Sequence, residues 1–104
     1  MILRINGEYW KLLFVSPNDP ILYIGNGFTL GVTIPAWHRI YIANNLNGDK
    51  ARLVISHEVA HAEFASRGLF VPIYIEEVLA DIVADNILDV YTHTNNVCRH
   101  YGKC

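Results

Sequence analysis

The chain has 104 residues, 52% of them hydrophobic and 17% charged. That length suits one domain spanning residues 1–104, and so apolar a composition excludes disorder, because burial offsets the entropy of ordering. A formal net charge of -2 without any Lys/Arg cluster excludes the basic footprint of a nucleic-acid binder.

The first residues, Met1-Ile2-Leu3-Arg4, lack the basic-then-apolar layout of a signal peptide, so a cytoplasmic protein is expected. Ile2, Leu3 and Ile5, then residues 9–15, flank Asn6-Gly7, the strongest short hairpin signal. Residues 16–20 form a loop by their turn chemistry, and 21–24 a short strand. Between Asp19 and Arg39 there is no charged residue, the mark of some membrane spans. Five glycines and prolines in that run favour strands and turns instead, and the chain is read as soluble. Residues 28–34 and 39–43 alternate as strands.

The period then changes. Residues 49–67 carry apolar positions at helical spacing, with Asn47 or Asp49 as N-cap and Gly68 as stop. A second helix is predicted over 75–91, with Ile75, Val78, Leu79, Ile82, Val83, Leu88 and Val90 as its buried stripe. The tail, 92–104, is polar and is read as irregular. The expected architecture is α+β: an antiparallel or mixed sheet followed by two packed helices. Trp10 and Trp37 are expected in the core or against the sheet.

His57-Glu58-Val59-Ala60-His61 falls in the middle of the first helix. Residues four apart share a helix face, so both imidazoles can reach one ion. Glu58 then lies close to a metal-bound water without being a ligand. This is what a zinc hydrolase needs: two nitrogen ligands, an open position and a carboxylate base. With five histidines and five glutamates, the string arises by accident in about one such sequence in a hundred. The bland reading makes the two histidines ordinary polar residues, but their neighbours are apolar.

A third protein ligand is required. Glu76 and Glu77 are on offer, and Glu77 has Asp81 one turn later with Ala80 and Ala84 beside them. The preferred reading makes Glu77 the ligand and Asp81 the acceptor behind a ligating imidazole. Glu76 has no such partner along the helix. The alternative places both glutamates in the first turn for the helix dipole alone.

His57-Glu58-x-x-His61 followed by Glu77-x-x-Ala80-Asp81-x-x-Ala84 resembles the ImmA/IrrE group of small zinc peptidases, a minimal gluzincin layout. The Gly31-Val32-Thr33 and Arg39-Ile40-Tyr41-Ile42 strands and Asn45-Leu46 are similar to short zincin-like proteins of phages and mobile elements. The resemblance covers about residues 28–90 and lies mainly in the two helical motifs. It implies a zincin-like fold, zinc on His57, His61 and Glu77, and Glu58 as general base. It also implies a narrow peptide or protein substrate, for instance a transcriptional repressor. The spacer from His61 to Glu77 is short, and the extra helices or sensor domain that many relatives carry are not expected.

On the same reading, residues 28–34 are the edge that pairs with an extended peptide, and Tyr91 and His93 are the nearest oxyanion donors. His93, Cys98, His100 and Cys104 are numerous enough for a second, structural zinc. Their spacing is unusual for one, so Cys98 and Cys104 are expected as reduced surface thiols. Two rival functions keep the chain but not the chemistry: a catalytically silent zinc-bound module that docks to a regulator, and a small protein whose helices serve only an oligomer interface.

Overall fold

Asn6 and Gly7 both take positive φ, 49° and 81°. A two-residue turn of that kind matches the twist of the strands it joins. β1 (Ile2–Ile5) and β2 (Glu8–Val15) accordingly pair antiparallel, with Ile5 opposite Glu8. The structure is a computed structural model and describes residues 1–69, 72–83 (backbone only from 81) and 88–104.

From β2 the chain makes a long crossover. It passes a 3-10 turn at Pro20–Leu22, capped by the Asp19 carboxylate on the Ile21 N–H, and a hairpin of β3 (Tyr23–Ile24) and β4 (Gly27–Phe28). β5 (Gly31–Ile34) follows, then a second 3-10 turn at Pro35–Trp37 and β6 (Arg39–Ala43). β6 returns beside β2 in parallel, Lys11 opposite Arg39, as only a long connection permits. β5 pairs antiparallel with β6, so the sheet is mixed, in the order β1-β2-β6-β5, with β5 at an edge.

The predicted strand over 28–34 is therefore two. Phe28 belongs to the β3–β4 hairpin, while Gly31–Ile34 joins the main sheet. Alternation continues across the break and does not register it, because it records side-chain polarity and not hydrogen-bonding partners.

α1 (Gly48–Ser66) buries Ala51, Ile55, Val59 and Ala62, a stripe at three- and four-residue spacing. The stripe joins Leu3, Ile5, Trp10, Leu12, Ile40 and Ile42 of the sheet in one core. Asn47 is the N-cap but makes no side-chain capping bond. The Gly48 N–H donates instead to the Lys103 carbonyl at 2.6 Å. A distant piece of chain thus satisfies one of the donors a helix start leaves open.

Among the described residues there are three helices, and the expected second helix, 75–91, runs across residues 84–87, which lie outside them. α2 spans Ile73–Val83 and α3 spans Leu88–Tyr101. The supposedly irregular tail is helical because Val90, Thr94, Val97 and Cys98 bury one face against the core. Two of those four are Thr and Cys, so apolarity alone does not reveal the period. The expected apolar stripe is also corrected. Val90 is buried, but Ile75, Val78, Leu79 and Leu88 are exposed, and among the described side chains of α2 it is Ala80 that reaches the core. α1 already packs on the sheet and α3 on α1, and an apolar period does not say whether anything remains for α2 to cover. The Ile82 and Val83 side chains lie outside the described residues.

Trp10 is buried as expected, whereas Trp37 is exposed. Cys98 and Cys104 form a disulfide, not two free thiols. Gly102 ends α3 at φ +64°, and the Lys103 N–H donates back to the Cys98 carbonyl, a reversal that brings Cys104 over Cys98. Among the described residues, no helix is long and apolar enough to cross a membrane.

Candidate metal centre

α1 presents His57 and His61 one turn apart, with their rings at 74° and centroids 4.8 Å apart. Their Nε2 atoms stand 3.1 Å from one another. α2 supplies Glu77, whose Oε2 lies 3.0 Å from His57 Nε2 and whose Oε1 lies 3.0 Å from His61 Nε2. The donor atoms of the three residues fall within 4.8 Å of one another. The three expected ligands are therefore brought together. A tetrahedral zinc with bonds near 2.0 Å separates its ligand atoms by about 3.3 Å; the two Nε2 atoms, 3.1 Å apart, stand near that spacing, and each has a different Glu77 oxygen at 3.0 Å.

Glu76 has a role that helix spacing did not reveal. Its Oε1 lies 2.8 Å from His61 Nδ1. A carboxylate there accepts the Nδ1 proton, which leaves the Nε2 lone pair directed at Glu77 and His57. Glu76 is thus the acceptor behind a ring of the cluster, the part assigned to Asp81. The side chains of Asp81 and Ala84 lie outside the described residues. The cross-helix contact depends on how α2 is rotated against α1, which spacing along α2 does not encode.

Glu58 is buried, its side chain held from the sheet. The Thr33 hydroxyl lies 2.9 Å from Glu58 Oε1 and 2.9 Å from the Glu58 carbonyl, so that one proton is shared between two acceptors. Burial pushes the Glu58 carboxyl above the usual carboxylate range. The Thr33 hydrogen bond, then His61 and His57, pull it down less strongly, and Glu77 pushes it up. Gly31 makes room for this arrangement. A Cβ there would stand 2.9 Å from Glu58 Cγ and 3.0 Å from Val54 Cγ1. Strand alternation puts residues 31 and 33 on one face, which is the signal by which both could have been found.

The cluster lines a cleft of about 710 Å³. Glu58, His57 and His61 line it from α1, Val32 and Thr33 from β5. Ile24 and Phe28 of the hairpin and Ile73 of α2 border it with apolar surface. Neither Tyr91 nor His93 lines this cleft. The Tyr91 ring lies under the Arg52 guanidinium at 5.3 Å, and His93 sits half-buried on α3. The structure brings no oxyanion donor from α3 to the cluster. The second set, His93, Cys98, His100 and Cys104, does not gather either, since both sulfurs are spent on each other. Among the described residues, His57, His61 and Glu77 are the one group able to hold a metal ion.

No family model, curated protein or solved structure matches the chain. Fold and site define it as an α+β domain, with a mixed sheet and, among the described residues, three helices, that carries a His-His-Glu cluster able to hold a metal ion.

Proposed function

We propose that this protein is a zinc metallopeptidase with a zincin-like fold, similar to the ImmA/IrrE group, acting on a narrow peptide or protein substrate. The observation that carries the reading is the convergence of His57, His61 and Glu77 in a cleft that also holds the buried carboxylate of Glu58. Two imidazoles and one carboxylate suit zinc by ligand type and leave one position open.

Zinc bound there would lower the pKa of a water toward neutrality and polarise a scissile carbonyl. Glu76 keeps His61 in the tautomer that ligates. Glu58 takes the proton from the attacking water and delivers it to the leaving amine. Its raised pKa brings it closer to the operating range of such a base, and the Thr33 hydroxyl holds its Oε1 in place. β5 is an edge strand bordering the cleft, so an extended peptide can add to the sheet there by main-chain hydrogen bonds. Sequence-tolerant grip of that kind leaves selectivity to the apolar border.

The border also favours a second reading. Ile24, Phe28 and Ile73 are all exposed around the cleft, which is how a module that docks to a regulator without hydrolysis would present itself. Glu58→Gln separates the two. Zinc content measured by plasma emission should equal that of wild type, while cleavage of a peptide library disappears. A wild-type protein that binds zinc but cleaves nothing leaves the docking reading, and one that takes up no zinc removes both.

A further inference from the structure

Cys98 and Cys104 form an unequal pair. Cys98 is 6% exposed, packed in the core between α3 and α1, whereas Cys104 is exposed. Arg52 of α1 points one guanidinium nitrogen at Cys98 Sγ from 3.9 Å. A second nitrogen donates to Asn95 Oδ1 at 2.5 Å, and the guanidinium carbon lies 5.3 Å from the Tyr91 ring centroid. Three residues on one face of α3 thus hold a fixed cation beside the buried sulfur. A neighbouring cation stabilises a thiolate, and the better stabilised sulfur is the better leaving group in thiol–disulfide exchange.

Access therefore selects attack at Cys104, and the Arg52 guanidinium counters the desolvation that burial imposes on a Cys98 thiolate. We propose that Cys104 is a modification site, S-thiolated by small thiols of the glutathione class with Cys98 as the leaving thiolate. The incoming thiolate bonds to Cys104 Sγ, the Cys98–Cys104 bond breaks, and its electron pair leaves on Cys98 Sγ beside Arg52. The product holds one mixed disulfide and one thiolate in place of one disulfide, with no net oxidation. The reverse attack, at Cys98 Sγ, requires the thiol to enter the core and expels the exposed Cys104 thiolate.

The step also frees a strap. The turn after α3 carries Lys103, whose carbonyl accepts from the Gly48 N–H and whose Nζ donates to the Asn44 carbonyl at 2.5 Å. Once thiolated, Cys104 loses its disulfide tie to α3, and the segment is held by those polar contacts, the Lys103 N–H to Cys98 carbonyl bond and the Lys103 ammonium over the Phe14 ring.

The test uses the oxidised full chain and glutathione, quenched in denaturant with excess N-ethylmaleimide and mapped by mass spectrometry. The expected result is glutathione on Cys104 and maleimide on Cys98, in at least about tenfold excess over the reverse. The preference should disappear when the exchange is run in urea. Arg52→Met should slow the exchange severalfold, because a less stabilised thiolate leaves more slowly, and Arg52→Lys should restore much of the rate. Adducts divided equally, or found on Cys98, overturn the proposal, as does a chain that keeps two free thiols after oxidation. An Arg52→Met variant that exchanges at the wild-type rate overturns it too. If that variant fails to fold, the wild-type adduct pattern still decides.

Discussion

Oε1 of Glu76 stands 2.8 Å from His61 Nδ1, while Oε1 of the next residue, Glu77, stands 3.0 Å from Nε2 of the same ring. Two consecutive carboxylates of α2 thus face the two nitrogens of one imidazole, one as acceptor at Nδ1 and the other as a neighbouring donor atom of the cluster at Nε2. The contact at Nδ1 fixes which nitrogen keeps its lone pair, and the contact at Nε2 places that lone pair beside a second ligand.

Glu76→Ala should therefore weaken zinc binding by about 10–100-fold without removing a ligand. A competition titration against a chromogenic chelator measures it. Glu77→Ala should weaken binding further in the same assay. A Glu76→Ala affinity equal to wild type would show that the Nδ1 contact does not orient the ring for the metal.

Glu58 gives the metal-free protein a pH signature. Its folded pKa lies above its unfolded value, so between the two the folded chain holds a proton that the unfolded chain has lost. Its contribution to stability is complete below the unfolded value and declines as pH rises through the folded one. Glu58→Gln removes that dependence while keeping an acceptor for Thr33. The metal-free variant should melt a few degrees above wild type near neutral pH, and the gap should close at about pH 4. Thermal melts followed by circular dichroism across pH 4–8 would show it.

Gly31→Ala places a methyl group against Glu58 Cγ and Val54 Cγ1. Overpacking of this kind costs about 1–3 kcal/mol. Glu58 is one of the two neighbours that must give way, so activity should fall more than the melting temperature implies. Urea denaturation together with peptidase rates on the same preparation gives both quantities.

Glu63 is 2% exposed; its Oε2 accepts from Arg67 Nε at 3.2 Å, and its Oε1 has no partner among the described residues. Arg67→Ala leaves that buried carboxylate with no cation and should cost about 1–3 kcal/mol, since Arg67 is itself half exposed. Glu63→Gln in the Arg67→Ala background should recover part of the loss in chemical denaturation.

The site was legible where covalent spacing alone decides geometry. His57 and His61 are one turn apart in any α-helix, and Glu58 follows from their position. Glu77 was reachable because a catalytic zinc needs a third ligand. Glu76 was passed over because its partner lies on another helix, and the angle between two helices is set by packing. Thr33 and Gly31 escaped for the same reason: their importance comes from contact with Glu58, 25 residues on from Thr33.

The fold shows the same division. The Asn6-Gly7 turn and α1 follow from local chemistry, and both form where expected. The division of residues 28–34 between two sheets does not, because strand partners are chosen across the chain. α3 was hidden by a burial face built partly from Thr94 and Cys98, and α2 appeared buried because its apolar residues keep a helical period while standing in solvent. Whether a face is covered is decided by its neighbours.

The parallel pairing of β2 with β6 at the middle of the sheet has a kinetic consequence. Lys11 must find Arg39 before α1 has a floor to rest on, and closing so long a loop is slow compared with winding a helix. Helical segments can therefore flicker into existence early, whereas the side chains that converge from α1 and α2 meet late in the folding reaction. An excised peptide carrying those two helices alone would lack the platform that sets their separation.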